Sequence, residues 1–216
     1  MKWVKLSKMA AIVLVVVMAV SAVIEPKAAT GSQVYLYGLH GEPNPDCGYH
    51  CSWLGRVRNM YKEHDSLAEV TTRHHSGAGN MYKNMQKANY MMIVTHGSPN
   101  SIGGYSSIGT KSSLTIDDIR KGPELSQLKV CLITACNAAP VARAIKERGA
   151  KTTIGFTEQI YTASCRKMQL YFNSYFTSGQ TVTVAMHNAC NATVRDLKED
   201  YGCRSYGIFG NMSQKF

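Results

Sequence analysis

Two residues able to do nucleophilic chemistry follow short apolar runs: His96 after the run in "YMMIVTHG" and Cys136 after the run in "VCLITAC". A cysteine thiol with its ordinary pKa of about 8.5 is mostly protonated at neutral pH, so it needs a base or a positive field to become a thiolate. An imidazole within reach is such a base. Gly97, directly after His96, lets the main chain approach a neighbouring group closely, so its amide and that of Cys136 are candidate donors to an oxyanion. A thiol nucleophile, an imidazole base and backbone donors together suit acyl transfer. That chemistry requires the two runs to be neighbouring strands ending at the same edge of a sheet, because a functional crevice in an open parallel sheet lies outside the carboxyl ends of its strands.

The rest of the chain supplies the elements for such a sheet. Short apolar strands alternate with helical patterns, the signature of a mostly parallel sheet covered on both faces. The expected strands are 33–39, 67–73, 90–95, 128–135, 151–156 and 205–210, giving a six-stranded sheet in a three-layer α/β/α sandwich. Helices are expected over 52–64, 79–88, 116–121, 163–177 and 181–200, with a further one starting directly after Cys136. Thr115 and Asp118 form a capping box before the short helix at 116–121. In the helix after Cys136, Pro140 falls in the first turn and Gly149 at the C-terminal end, and the N-terminal amides of that helix would favour a thiolate. The segment 97–113, rich in Gly and Ser and without apolar periodicity, reads as a loop beside the strand end, either a substrate-binding loop or a plain connection.

The first residues stand apart from this pattern. Lys2, Lys5 and Lys8 precede the apolar run Met9 to Val23, the layout of a signal peptide, and fifteen residues are short for a membrane span of about 20. Residues 1–29 are therefore expected to be a leader, with cleavage after Ala29 or as early as Ala22, and an uncleaved anchor as the alternative. Residues 30–216 then form a single domain of ordinary size, exported from the cell and without stable membrane association once the leader is gone. Loss of the leader lowers the formal charge from +10 to +7 at either site. The basic residues are scattered and match no nucleic-acid recognition motif, so a polypeptide is the expected partner.

Seven cysteines in an exported chain suggest disulfides, and the odd number leaves at least one thiol over. Cys47 and Cys51 in "CGYHC" are read as a local disulfide in preference to a metal site with His50, since no second Cys/His pair follows at finger spacing. Cys190 and Cys203 are a second candidate pair. Cys131 reads as a small buried hydrophobe, and Cys165 has no evident partner. No metal and no cofactor is expected.

The succession of an apolar block, His-Gly, a spacer, a second apolar block and Ala-Cys resembles the caspase-like cysteine peptidases. That group includes caspases, legumains, gingipains, clostripains, separases and the bacterial CHAT peptidases. "LTIDDIR", "ACNAA" and "RGAKTTIGFTEQIY" are similar to the corresponding CHAT and gingipain segments, so the resemblance covers about residues 90–190, whereas 33–89 match only in the order of elements. It implies that Cys136 is the nucleophile, that His96 is the base and that the backbone around Gly97 contributes to the oxyanion hole. The chain departs from the caspases in lacking the long linker at which they are cut and an evident large pro-segment. A directly active or substrate-ordered monomer is accordingly the expectation.

Members of the group cleave after a charged or polar residue. Glu158, in "GFTEQIY" after the fifth strand, is a candidate pocket residue favouring Arg or Lys, against the simpler reading of an exposed loop glutamate. Asp117 and Asp118 read as helix-start residues, His74-His75 as surface turn residues and His187 as a polar helix position. His40, followed by Gly41, repeats the His-Gly pair and is the main rival for the base. The favoured function is a secreted cysteine endopeptidase. An inactive binding module of the same fold and a thiol acyltransferase or transpeptidase are the alternatives, since an amine resolves a thioester as well as water does.

Overall fold

A computed structural model describes residues 31–39, 47–74, 79–103 and 113–216. The expected leader, His40, His75 and most of the Gly/Ser segment after Gly103 lie outside the described residues. Eight strands and six helices are present among those described: β1 (Gln33–Leu39), α1 (Cys47–His64), β2 (Glu69–His74), α2 (Gly79–Met85), β3 (Tyr90–Ser98), β4 (Ser101–Gly103), β5 (Ser113–Thr115), α3 (Ile116–Lys121), β6 (Val130–Thr134), α4 (Ala139–Glu147), β7 (Thr152–Phe156), α5 (Thr162–Thr177), α6 (Val182–Leu197) and β8 (Tyr206–Gly210). None of these helices is long and apolar enough to cross a membrane.

The main sheet has the order β2-β1-β3-β6-β7-β8, parallel throughout except for β8. The exception follows from connectivity. A single helix between two strands returns the chain to the end from which the first strand set out, so the next strand runs parallel. Two consecutive helices, α5 and α6, separate β7 from β8, and the chain re-enters the sheet at the edge where β7 finished. The loop after α6 is thereby brought to the carboxyl edge of the sheet.

Alternating side chains divide the core into two layers. Tyr90, Met92 and Val94 of β3 face α1, α5 and α6, and join a cluster that holds Trp53, Tyr61, Phe172 and Phe176. Met91 and Ile93 face the other way, against Met81 and Met85 of α2, Ile119 of α3 and Ile145 of α4. Each large apolar side chain buried in either layer contributes about 1.5–3 kcal/mol relative to exposure. The expected three-layer sandwich is thus present.

The sheet corrects the expectation in one respect: it contains eight strands rather than six. β3 does not stop at Thr95 but continues through His96 to Ser98, and the chain turns back antiparallel as β4, which pairs in turn with β5. The turn is made by "SPNS", where the Ser98 hydroxyl oxygen accepts from the amides of Asn100 at 3.3 Å and Ser101 at 3.1 Å. Three-residue strands carry too little periodicity to stand out in a Gly/Ser-rich segment. α1 differs as well, starting at Cys47 rather than Ser52, so that the "CGYHC" segment is helical. The side chains of Cys47, His50 and Cys51 lie outside the described residues.

A buried polar chain runs through the α1/α5 layer to the sheet. The Tyr61 hydroxyl donates to Asn173 Oδ1 at 2.7 Å, Asn173 Nδ2 donates to the Gln169 carbonyl at 2.6 Å, and Gln169 Nε2 donates to Thr134 Oγ1 at 3.1 Å. Thr134 Oγ1 in turn donates to the Ile93 carbonyl at 3.0 Å, tying β6 to β3 immediately below their ends. Burial raises the Tyr61 pKa well above its usual value. Loss of the Asn173 acceptor strands a hydroxyl in the core, so Asn173→Leu is expected to destabilise the fold by about 1–3 kcal/mol. Adding Tyr61→Phe is expected to recover part of that loss, as measured by urea unfolding of the single and double variants.

Candidate active site

β3 and β6 are adjacent and parallel, with Val94 opposite Thr134 as the last paired position. His96 and Cys136 each lie two residues further on, at matching heights on neighbouring strands. Strand alternation directs His96 to the side of Tyr90, Met92 and Val94, and Cys136 packs against that same layer. His96 is exposed and Cys136 half-buried. The two residues singled out by type are therefore brought to one edge and one face.

Gly97 marks where the strand ends meet. A Cβ at this position would lie 2.4 Å from the Cys136 carbonyl oxygen and 2.9 Å from Ala135 Cβ. Such distances are far inside van der Waals contact, so only glycine permits the approach. The close contact that explains Gly97 is thus with the Ala135–Cys136 main chain of the protein itself.

The turn after Cys136 differs from expectation. α4 does not begin directly after the cysteine; Asn137 and Ala138 intervene, with Ala138 as N-cap and Pro140 in the first turn, and Gly149 follows the helix at φ +105°. Asn137 has φ +54°, a left-handed conformation that Asn tolerates better than most residues. Its amide is taken by the Glu158 carbonyl at 3.0 Å, and the Cys136 thiol donates to the Ile160 carbonyl at 3.5 Å. The helix amides expected to support a thiolate are displaced by two residues, and the immediate partner of the sulfur is the loop after β7.

That loop is joined directly to the loop after α6. The Thr157 amide donates to the Ser205 carbonyl at 2.8 Å and the Tyr161 amide to the Tyr201 carbonyl at 3.2 Å. Glu158 is exposed on the loop after β7, and its carboxylate accepts from the Ser205 hydroxyl at 3.0 Å. Sequence reasoning had singled out Glu158 but neither Ser205 nor Ile160. Nothing in their types marks them, since one acts through a hydroxyl and the other through a main-chain oxygen. Asn137 carried a faint signal, an Asn placed between a strand and a proline-started helix.

The remaining candidates fall elsewhere. Asp118 completes the capping box with Thr115, and Asp117 sits in the first turn of α3. His187 is exposed on α6, with its Nε2 2.9 Å from Asn191 Nδ2. His74 ends β2, two strands away from β3. Among the described residues, no group of three or more His, Cys, Asp or Glu side chains is arranged to hold a metal ion.

The five described cysteines are unpaired, so the candidate pair Cys190 and Cys203 forms no disulfide in this structure. Instead the Cys190 thiol donates to the Cys203 carbonyl at 3.0 Å. Burial pushes the Cys131 and Cys190 thiols up to about 12. It also raises Cys165, helped by nearby Cys136 and Cys203, and Cys203 itself. Cys136 alone among the five is not fully buried.

No protein-family model matches the chain, and no curated protein matches it. Solved structures do match. The Arg-specific cysteine proteinase gingipain R aligns over 85% of this chain and 47% of its own, with a TM-score of 0.64 and 16% identity. The separase of the Saccharomyces cerevisiae separase–securin complex aligns over 84% of this chain and 12% of its own, with a TM-score of 0.56 and 13% identity. The Drosophila initiator caspase Dronc aligns over 85% of this chain and 80% of its own, with a TM-score of 0.52 and 7% identity. The fold is the caspase-like α/β/α fold, and the structural neighbours are caspase-like cysteine peptidases. The chain spans about half the length of the gingipain chain.

Two outcomes are expected at this site. Gly97→Ala forces β3 and β6 apart and is expected to lower stability by about 1–3 kcal/mol in urea unfolding, with Ser98→Ala much closer to wild type. Buried, high-pKa thiols react slowly, so brief iodoacetamide labelling followed by peptide mass mapping is expected to modify Cys136 well before Cys131, Cys165, Cys190 or Cys203.

Proposed function

We propose that the chain is a cysteine endopeptidase in which Cys136 is the nucleophile and His96 the general base. The observation that carries the reading is the matching placement of the two residues beyond Val94 and Thr134 on adjacent parallel strands. The caspase-like fold of its cysteine-peptidase neighbours supports it.

In the proposed reaction His96 takes the proton from the Cys136 thiol, which leaves its contact with the Ile160 carbonyl. The sulfur attacks the scissile carbonyl carbon, and the tetrahedral oxyanion is held by main-chain donors around Gly97 and Cys136. Collapse breaks the C–N bond, the imidazolium returns its proton to the departing amine, and a thioester remains on Cys136. Water, deprotonated by the same imidazole, then hydrolyses the thioester and regenerates the thiol.

Glu158 is proposed to favour Arg or Lys at the cleaved position, since it is exposed on the loop whose main chain meets Asn137 and Cys136. The Arg specificity of gingipain R is consistent with that preference. The leader-like start of the sequence, with lysines before an apolar run, supports export of the enzyme.

Fluorogenic peptides ending in Arg, Lys, Asp or Asn before the reporter group provide the test. The wild type is expected to cleave the Arg and Lys substrates, and Cys136→Ala and His96→Ala are each expected to lower kcat/KM by about 10³-fold or more. Glu158→Gln is expected to reduce the Arg-over-Asn preference by about tenfold with kcat less affected. Cleavage by Cys136→Ala at the wild-type rate would rule out the assignment. Conversion only in the presence of an added amine acceptor would point to acyl transfer instead of hydrolysis.

A further inference from the structure

On the face of the sheet opposite the Cys136 layer, a cavity of about 580 Å³ opens between α3, α4 and β8. Its walls include Ile116 of α3, Pro140 and Ala144 of α4, and Phe209 of β8. Ile116 and Phe209 are partly buried and pack on the second core layer, whereas Cys136 packs on the first. The cavity thus lies on the other core layer from Cys136 and meets the loop after β7 at Thr157. Its volume is within the range of sites that take a ligand the size of a few side chains.

The shape has a sequence cause. At Gly207 a Cβ would come within 3.0 Å of the Phe209 ring, so the missing side chain lets that ring lean along the strand beneath α4. Alanine at 139 and 144 keeps the facing surface of α4 low. The result is an apolar floor flanked by the longer side chains of Arg120, Arg143 and Glu147.

Charge is added at the mouth. Arg120 and Arg143 both line the cavity and both are exposed. The Arg143 guanidinium is 5.1 Å from the centroid of the Phe209 ring, a cation–π arrangement that orders the side chain without neutralising it. Neither guanidinium has an ion-pair partner among the described residues. Glu147, one turn beyond Arg143, is on the rim, and Thr157 offers a hydroxyl at the end nearest β7. Two cations against one anion over an aromatic and aliphatic floor are complementary to a carboxylate carried on an apolar body. Guanidinium groups suit that partner because they bind carboxylates in a bidentate fork.

We propose that this cavity is a docking site for a polypeptide segment that alternates acidic and apolar residues. Carboxylates pair with Arg120 and Arg143, and an apolar side chain rests on Phe209 and Ala144. The site adjoins the reaction centre through α4, whose first turn contributes Pro140 four residues after Cys136. Docking there does not depend on the peptidase reading, because binding requires no turnover.

The test is fluorescence anisotropy on the purified chain carrying Cys136→Ala, with two labelled, C-terminally amidated peptides. One has a Glu-Leu-Glu-Phe core and the other a Gln-Leu-Gln-Phe core. The acidic peptide is expected to bind about tenfold more tightly, and the double variant Arg120→Gln with Arg143→Gln is expected to remove that advantage. Lys87→Gln, a basic residue elsewhere on the surface, is expected to leave binding unchanged. Glu147→Gln is expected to strengthen binding of the acidic peptide about twofold or more, which keeps the proposal testable if the arginine variant folds poorly. Equal binding of the two peptides, an equal loss with Lys87→Gln, no gain with Glu147→Gln, or tighter binding of a thymidine oligonucleotide of the same charge would each overturn it. A failure of the protease assay would leave these measurements untouched, so the two readings stand or fall separately.

Discussion

The close contact of β3 with β6 is the constraint on which the rest of the carboxyl edge depends. Their parallel ladder runs from Tyr90 opposite Val130 to Val94 opposite Thr134, and beyond it Gly97 lies directly against the Ala135–Cys136 main chain. Without a side chain at 97, the imidazole on one strand and the thiol after the other can share one edge and one face. The buried chain from Tyr61 through Asn173 and Gln169 to Thr134 holds this junction from below. A polar network in the core is costly unless every member is paired, and here its last member bridges the two strands that matter.

The second determinant is the pair of helices between β7 and β8. Because two helices intervene, β8 runs antiparallel and the loop before it arrives at the carboxyl edge. That loop is stitched to the loop after β7 through Thr157 and Ser205, Glu158 and Ser205, and Tyr161 and Tyr201. The Cys136 sulfur thus meets a loop that is itself held by a segment about seventy residues from Cys136 in sequence. The same arrangement leaves the outer face of β8 beside α4, where Gly207 and Phe209 shape a cavity on the far side of the sheet.

Much of the framework was legible in the residues. The apolar runs at 33–39 and 151–156, the Thr115/Asp118 capping box and the Pro140 helix start were all readable because each rests on local rules: alternation, side-chain capping and proline's fixed φ. The readings that failed involve competition between local signals and tertiary pairing. "HGEPNPDCGYHC" looks like a loop because of its Gly and Pro, yet its last residues are the first turns of α1. "SPNSIG" looks like a continuation of a flexible segment, yet pairing with Gly97 turns it into β4. Cys190 and Cys203 suggested a disulfide from their number and setting, whereas the thiol donates to a main-chain carbonyl.

The sequence by itself determined the alternation of strands and helices, the reactive types at 96 and 136, and the glycine that allows their strands to touch. Those follow from side-chain chemistry and short-range periodicity, which a linear reading contains. Only the tertiary structure decided that β3 and β6 are neighbours in register, that the Cys136 thiol meets the Ile160 carbonyl, and that Asn137 turns left-handed before α4. Strand order, register and main-chain partners arise from the packing of two core layers against one sheet. No single residue encodes them, because each depends on where the rest of the chain has already been placed.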